Sequence, residues 1–259
     1  MGDLSFAIVV ASLHGRTGKT LLTRVVAEYF LLSNEQPFVF DTDPVDLGLR
    51  TLLPGTVQVV DLAHVPQQMT LFDTMVEASP QSRIVDLTHR SFTRFFELMQ
   101  QTDFIREARA NRIEPVIFYI PDHRRDSFEA GVGLRHRFPD CAMVVVENAY
   151  LRTPREVTRE SDAYSALKAH DLRLGLPLLA RETAERLEES APSLGDLLRR
   201  PHSYAETARL PQHERQLAAQ LRSWLITLMQ EIHRVRLEVA GRAGRAPRLR
   251  PASKTEGAM

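Results

Sequence analysis

Hydrophobic and polar positions follow two alternating rhythms through the first 150 residues. Short β-branched-rich runs read as buried strands: Ser5–Leu13 (SFAIVVASL), Pro37–Phe40, Arg83–Leu87 (RIVDL), Pro115–Ile120 (PVIFYI) and Ala142–Val146 (AMVVV), with a shorter one at Gln58–Leu62. Between them the apolar spacing turns helical. Positions 21, 22, 25, 26, 29, 30 and 32 make a stripe over Leu21–Leu32, and helices are also expected at Leu71–Ala78, Phe92–Gln101, on to about Ala110, and at Ser127–Arg137. Strands alternating with helices predict an α/β fold: a mostly parallel twisted sheet with helices on both faces. Beyond Pro154 the texture changes. Leu174–Leu179 reads as an edge strand because it contains Pro177. Helices are expected at Arg181–Glu189 and Leu194–Arg199. From Gln212 to about Val239, apolar residues at 217, 221, 224, 225, 228, 232 and 235 mark a long amphipathic helix. The expected organisation is one α/β domain over 1–205, a packed C-terminal helix over 206–240, and a disordered basic tail over 241–259.

Composition narrows this picture. Of 259 residues, 43% are hydrophobic, enough for a substantial core. A lone cysteine, Cys141, cannot form an internal disulfide and fits a reducing compartment. Phe6–Leu13 is too short to span a bilayer and has Asp3 where a secretory leader wants positive charge, so a soluble, cytoplasmic protein without a membrane partner is expected. The formal charge is zero, yet residues 1–130 carry 12 basic and 17 acidic side chains, and the remainder 21 and 16. Thirty of the 33 basic residues are arginine, and only Lys19, Lys168 and Lys254 are lysine. Each of those three raises the question of what arginine would fail to do there.

Lys19 has an answer in its neighbours. His14-Gly15-Arg16-Thr17-Gly18-Lys19-Thr20 lies between the first strand and the first helix, the setting of a phosphate-binding loop. Inward-pointing backbone N–H groups and the positive end of the helix favour phosphate oxygens. Lys19 would place its ammonium against the β- and γ-phosphates, and the Thr20 hydroxyl would ligate Mg²⁺. The bland alternative is a turn with a solvated lysine, and Leu13 stands where the spacing G-x-x-x-x-G-K-[ST] requires glycine.

The loop resembles the deviant phosphate loop K-G-G-x-G-K-[ST] of the ParA/MinD family of ATPases, in which the position of Leu13 need not be glycine. Gly15, Gly18, Lys19 and Thr20 match; His14 replaces the family's signature lysine and Arg16 its second glycine. The resemblance implies a nucleotide cradle of Gly15, Arg16, Thr17, Gly18, Lys19, Thr20 and Leu21. In the family the signature lysine reaches the partner subunit's phosphates, a charge that neutral histidine lacks near pH 7. Asp41 and Asp43, before Pro44, resemble the family's D-x-D-P stretch, which gives Asp43 the water-activating role and Asp41 a supporting carboxylate near the metal. Read without the family, the same residues make an ordinary strand-ending turn. The stretch from Asp46 to Arg50 resembles a nucleotide-sensitive switch. Asp86, closing RIVDL, fits the carboxylate that holds Mg²⁺, so the metal set is Thr20, Asp43 and Asp86, and Thr88-His89-Arg90 becomes a second switch lacking the family's prolines. Asn148 resembles an asparagine that hydrogen-bonds adenine, and Pro177 a proline that packs beside the base; each is also an ordinary turn residue. No N-K-x-D motif reads guanine.

Other features carry less. The loop Asp122–Asp126 faces the same sheet edge and is either a phosphate or partner contact or a charged helix entrance. Seven basic residues in 234–254 could neutralise DNA phosphates non-specifically or anionic lipid, or be a solvated tail. The nine scattered histidines predict no zinc site. The resemblance implies ATP and Mg²⁺ as cofactors, an ATP-dependent homodimer, and a cargo or adaptor partner, with plasmid stability and conjugation ATPases the first subgroup to consider. A non-hydrolysing scaffold and a small-molecule kinase or ligase on the same fold are the rival readings.

Overall fold

The computed structural model describes residues 4–46, 48–180 and 211–244, together with 182–184, 187, 194 and 198. Its strands are β1 (Ser5–Ala11), β2 (Phe38–Asp41), β3 (Val57–Val59), β4 (Arg83–Asp86), β5 (Ile113–Tyr119), β6 (Ala142–Asn148) and β7 (Arg173–Leu176). They form one sheet in the order β3-β2-β4-β1-β5-β6-β7, with every pairing parallel. The expected α/β architecture is therefore present. Because all strands run one way, the loops after β1, β2, β4, β5, β6 and β7 meet along a single edge. The chain leaves β1 toward β2 and later crosses β1 to reach β5, so strand order reverses beside β1, where ligands of such sheets bind.

Strand alternation divides the core in two. Phe6, Ile8 and Val10 of β1, with Val116 and Phe118 of β5, face the helices α1 (Lys19–Leu32) and α9 (Gln212–Ala243). Ala7, Val9 and Ala11, with Ile117 and Tyr119, face α3 (Val65–Val76), α4 (Phe92–Gln101), α5 (Phe104–Ala110), α6 (Arg125–Arg137) and α8 (Asp162–Lys168). Each interior strand thus buries both faces, which is why its apolar run is continuous.

The differences from sequence expectation have local causes. β1 ends at Ala11 and α1 starts at Lys19, because Gly18 takes a left-handed φ of 91° as the helix N-cap. α3 begins six residues before the expected Leu71, with Pro66 in its first turn; the polar run Gln67-Gln68 hides the helical stripe, and Gln68 folds back to donate to the Leu62 carbonyl at 2.7 Å. β3 covers Val57–Val59 rather than Gln58–Leu62. Three short helices lack a sequence forecast: α2 (Gly48–Leu52), α7 (Glu156–Arg159) and α8, the last capped by Ser161, whose hydroxyl accepts from the Tyr164 amide. A one- or two-turn helix shows too little periodicity to be read.

α9 runs past the expected end at Val239. It buries Leu221, Trp224, Leu225, Leu228, Ile232, Val235 and Val239 along α1 and β7. Arg236 lies over the rings of Phe6, Tyr29 and Phe30 and pairs with Glu35 at 2.7 Å. Arg234 donates to the Arg173 carbonyl of β7 at 2.6 Å, and Arg242 pairs with Asp171 at 2.6 Å. Three of the seven basic residues assigned to a free tail are therefore committed within the fold. Arg245, Arg248, Arg250 and Lys254 lie outside the described residues, as do Leu47 and most of the helices expected at 181–199. Among the described residues no helix is long and apolar enough to cross a membrane.

Candidate functional site

The phosphate loop leaves β1 with two residues in left-handed backbone, Arg16 at φ 60° and Gly18 at φ 91°. Gly18 could not be replaced without conflict, since a methyl group there would come within 2.7 Å of the Asn148 amide nitrogen. Arg16 occupies a conformation that costs a side-chain-bearing residue about 1–2 kcal/mol. This explains why glycine suits that position, and the guanidinium itself is exposed, with no ion pair or hydrogen bond among the described residues. The first turn of α1 contains no acidic side chain and has no side-chain cap, so its positive end is left for a ligand.

Behind this turn the sheet register brings the carboxylates together. Asp41 lies directly across from Asp86 in the β2–β4 pairing, and Asp86 across from Val10 in β1–β4. Lys19 is buried, donates to the His14 carbonyl at 3.2 Å, and has its pKa lowered by burial against the opposing pull of Asp86 and Asp43. Burial pushes Asp86 up to about 6, with the Thr20 hydroxyl and the Lys19 ammonium pulling it back. Its Oδ1 is buried without a hydrogen-bond partner. Asp41 is pushed up to about 7, chiefly by burial and in spite of the hydrogen bond it accepts from the Asp43 amide at 2.9 Å, with Asp86, Asp43 and Asp46 adding like charge.

Asp43 differs from both. Some burial raises its pKa, but this is outweighed, and the net shift is downward. Its Oδ1 accepts from the amides of Asp46 (3.2 Å) and Val45 (3.1 Å), its Oδ2 accepts from the Thr88 hydroxyl at 3.0 Å, and Arg90 adds positive charge. The Thr88 amide in turn donates to Thr42 Oγ1 at 2.8 Å, tying the loop after β4 to the loop after β2.

Sequence reasoning missed three placements. His14 does not point outward: its Nδ1 lies 2.9 Å from Asp122 and its Nε2 3.4 Å from Asp126, in the loop after β5. His89 packs on the phosphate loop, so a methyl group at Gly15 would meet its ring at 3.2 Å. Asn148 donates to the Thr17 carbonyl at 2.9 Å and accepts from the Tyr150 amide at 2.9 Å, bracing the loop. The signal for the first was the charged loop Asp122–Asp126, which becomes a partner of His14 once β1 and β5 are known to be neighbours. Thr17 is buried with an unpartnered hydroxyl, and Leu21 is half-buried in the first turn of α1.

Farther along the edge, a cleft of about 570 Å³ opens over the ends of β6 and β7, lined by Asn148, Leu151, Tyr164, Leu176 and Pro177 among others. The Pro177 carbonyl accepts from the Trp224 indole at 2.8 Å, fixing this rim to α9. Lys168 pairs with Glu147 at 2.7 Å beside the cleft. Of the residues singled out from sequence, Lys19, Thr20, Asp41, Asp43 and Asp86 converge at one end, while Asn148 and Pro177 line the other.

The class defined by this fold is the phosphate-loop α/β protein. Neither a protein-family profile nor a curated protein matches the chain. Among solved structures, the septum site-determining protein MinD of Pyrococcus horikoshii OT3, complexed with Mg-ADP, matches over 94% of this chain and 100% of its own, at 14% identity and a TM-score of 0.54. The MinD cell division protein of Aquifex aeolicus matches over 86% and 97%, at 13% identity and a TM-score of 0.46. A nucleotide-binding protein of Archaeoglobus fulgidus in complex with ADP matches over 73% and 90%, at 15% identity and a TM-score of 0.43. This chain has the fold of the ParA/MinD phosphate-loop ATPases, as the P. horikoshii match shows.

Proposed function

We propose that this protein binds Mg·ATP, dimerises when loaded, and hydrolyses ATP slowly under the stimulus of a partner, so as to position a cargo in the cytoplasm. The observation that carries the reading is the unpartnered Asp86 oxygen beside the Lys19 ammonium and the Thr20 hydroxyl, behind a left-handed Gly18. A buried carboxylate oxygen without a partner is costly unless a cation or its water completes it. One or two carboxylates, a hydroxyl and phosphate oxygens suit Mg²⁺. Thr20, Asp86 and Asp43 would hold the ion, whose chemistry is to neutralise charge on the phosphate oxygens. Lys19 holds the β- and γ-phosphates, the loop from Gly15 to Leu21 wraps them, and Asp41 supports the metal side. Asn148 and Pro177 wall the cleft that takes the adenine. Cargo in the form of plasmid DNA, a chromosome region or a protein assembly follows from the fold resemblance alone. The buried free thiol of Cys141 suits a cytoplasmic setting.

The test is calorimetric titration of ATP into wild type and Lys19→Ala, with and without Mg²⁺. Wild type is expected to bind more tightly with the metal, and Lys19→Ala to lose about 100-fold or more in affinity. Equal affinity in the two proteins would sink the reading. A second reading is favoured by one observation: His14, in place of the family's lysine, lies beside Asp122 and Asp126 of its own subunit. On that view the protein is a nucleotide-dependent scaffold that does not turn over, distinguished by ATP binding without phosphate release even when DNA and partner extracts are added.

A further inference from the structure

Hydrolysis on the reading above needs a group that orients water toward the terminal phosphate. Asp43 is poorly equipped to do so alone. Both its oxygens already accept hydrogen bonds, Oδ1 from two backbone amides and Oδ2 from the Thr88 hydroxyl. Of the carboxylate's roughly four acceptor sites one is left, on Oδ2, and on the reading above the metal ion takes it, which leaves none for the water.

His89 has the opposite properties. It follows Thr88, which is anchored to Asp43 and Thr42, so its backbone is fixed relative to the carboxylates. Its ring lies against Gly15, with Cε1 and Nδ1 at 3.2 and 3.3 Å from where a side-chain carbon would sit. A methyl group there would press on the ring and shift it by a few tenths of an ångström. Neither ring nitrogen has a hydrogen-bond partner among the described residues, and the residue is exposed. Partial burial, helped by the Lys19 ammonium and the Arg90 guanidinium, lowers its pKa, so near neutral pH one nitrogen is an acceptor and the other a donor.

We propose that His89 is a positioning residue for the hydrolytic water, a role that rests on the ATPase reading and adds to it. The imidazole, held on Gly15, accepts a hydrogen bond from the water, while Asp43 supplies fixed negative charge and anchors Thr88. The water oxygen bonds to the γ-phosphorus as the bond to the β–γ bridging oxygen breaks. ADP leaves with that electron pair, and both protons of the water end on the released phosphate, as H2PO4−. Gly15 lets the ring rest against the loop without being displaced.

Full-length wild type, His89→Ala and His89→Gln are compared by Mg·ATP titration, by phosphate release under single-turnover conditions, and by thermal unfolding. His89→Ala is expected to slow phosphate release about 100-fold while its ATP affinity stays within about threefold of wild type and its melting temperature is unchanged. His89→Gln, whose amide keeps an acceptor and a donor, should recover most of the rate. The proposal is overturned if His89→Ala releases phosphate as fast as wild type, if glutamine rescues nothing, or if affinity, stability and rate fall together. It is also overturned if wild type binds ATP and releases no phosphate, which leaves nucleotide binding standing. Failure of wild type to bind ATP at all removes both ideas, and the titration reports that outcome separately.

Discussion

Around Lys19 the carboxyl edge of the sheet packs an ammonium and two carboxylates out of water, and one carboxylate oxygen finds no partner. Around Asn148 and Pro177, on the other side of β1, the same edge opens into a roomy cleft whose polar groups are mostly paired with the protein itself. The first region is electrostatically incomplete and the second is structurally finished. A ligand is therefore expected to gain its affinity and its metal dependence at the charged end, with the cleft contributing shape and modest hydrogen bonding.

Removing the buried carboxylate tests this contrast most severely. Asp86→Ala should lower Mg·ATP affinity about 100-fold and abolish the difference between titrations with and without Mg²⁺. An undiminished metal effect would place the ion elsewhere.

The next effect is on stability. Asp41 has its native pKa raised to about 7 from an ordinary 3.8. Between those values the folded protein keeps a proton that the unfolded chain releases, so this group makes stability fall as pH rises through the window. Asp41→Asn keeps an oxygen to accept from the Asp43 amide and removes the charge. It should stabilise the ligand-free protein at pH 8 by on the order of 2 kcal/mol, a gain that fades by pH 4. Urea unfolding at the two pH values measures it, and a gain independent of pH would contradict the assigned cause.

At the finished end the changes should be smaller. Asn148→Ala loses the brace on Thr17 and should weaken ATP and GTP alike by about fivefold, near 1 kcal/mol. A loss confined to ATP would instead show that the amide reads the base. Smallest of all, Arg16→Gly exchanges left-handed strain for glycine's extra chain entropy, so unfolding should shift by about 1 kcal/mol or less. A scanning fluorimetry trace suffices to check it.

The charged end was the legible one. Gly18-Lys19-Thr20, Asp41, Asp43 and Asp86 stand at strand ends that hydrophobic runs announce, and a parallel sheet gathers such ends without further information. What lay hidden depends on which strands are neighbours. His14 meets Asp122 because β5 pairs with β1, and His89 meets Gly15 because β4 pairs with β1 on the other side. Pattern within a segment cannot report that adjacency. The same limit applies to α9, whose stripe was evident while the pairing of Arg234, Arg236 and Arg242 was not. Those residues read as tail charge until the helix is laid on the sheet.

The contact between Arg234 and the Arg173 carbonyl has an effect on how molecules can associate. β7 ends the sheet, and an exposed outer strand offers unpaired backbone to any other extended chain. Here a guanidinium occupies one of those outward carbonyls, and a 32-residue helix lies along the strand. The opposite border, β3, is only three residues long. Growth by edge-to-edge zippering, the usual start of fibrous aggregation, is thereby disfavoured at both margins. Self-association is left chiefly to surfaces made of side chains.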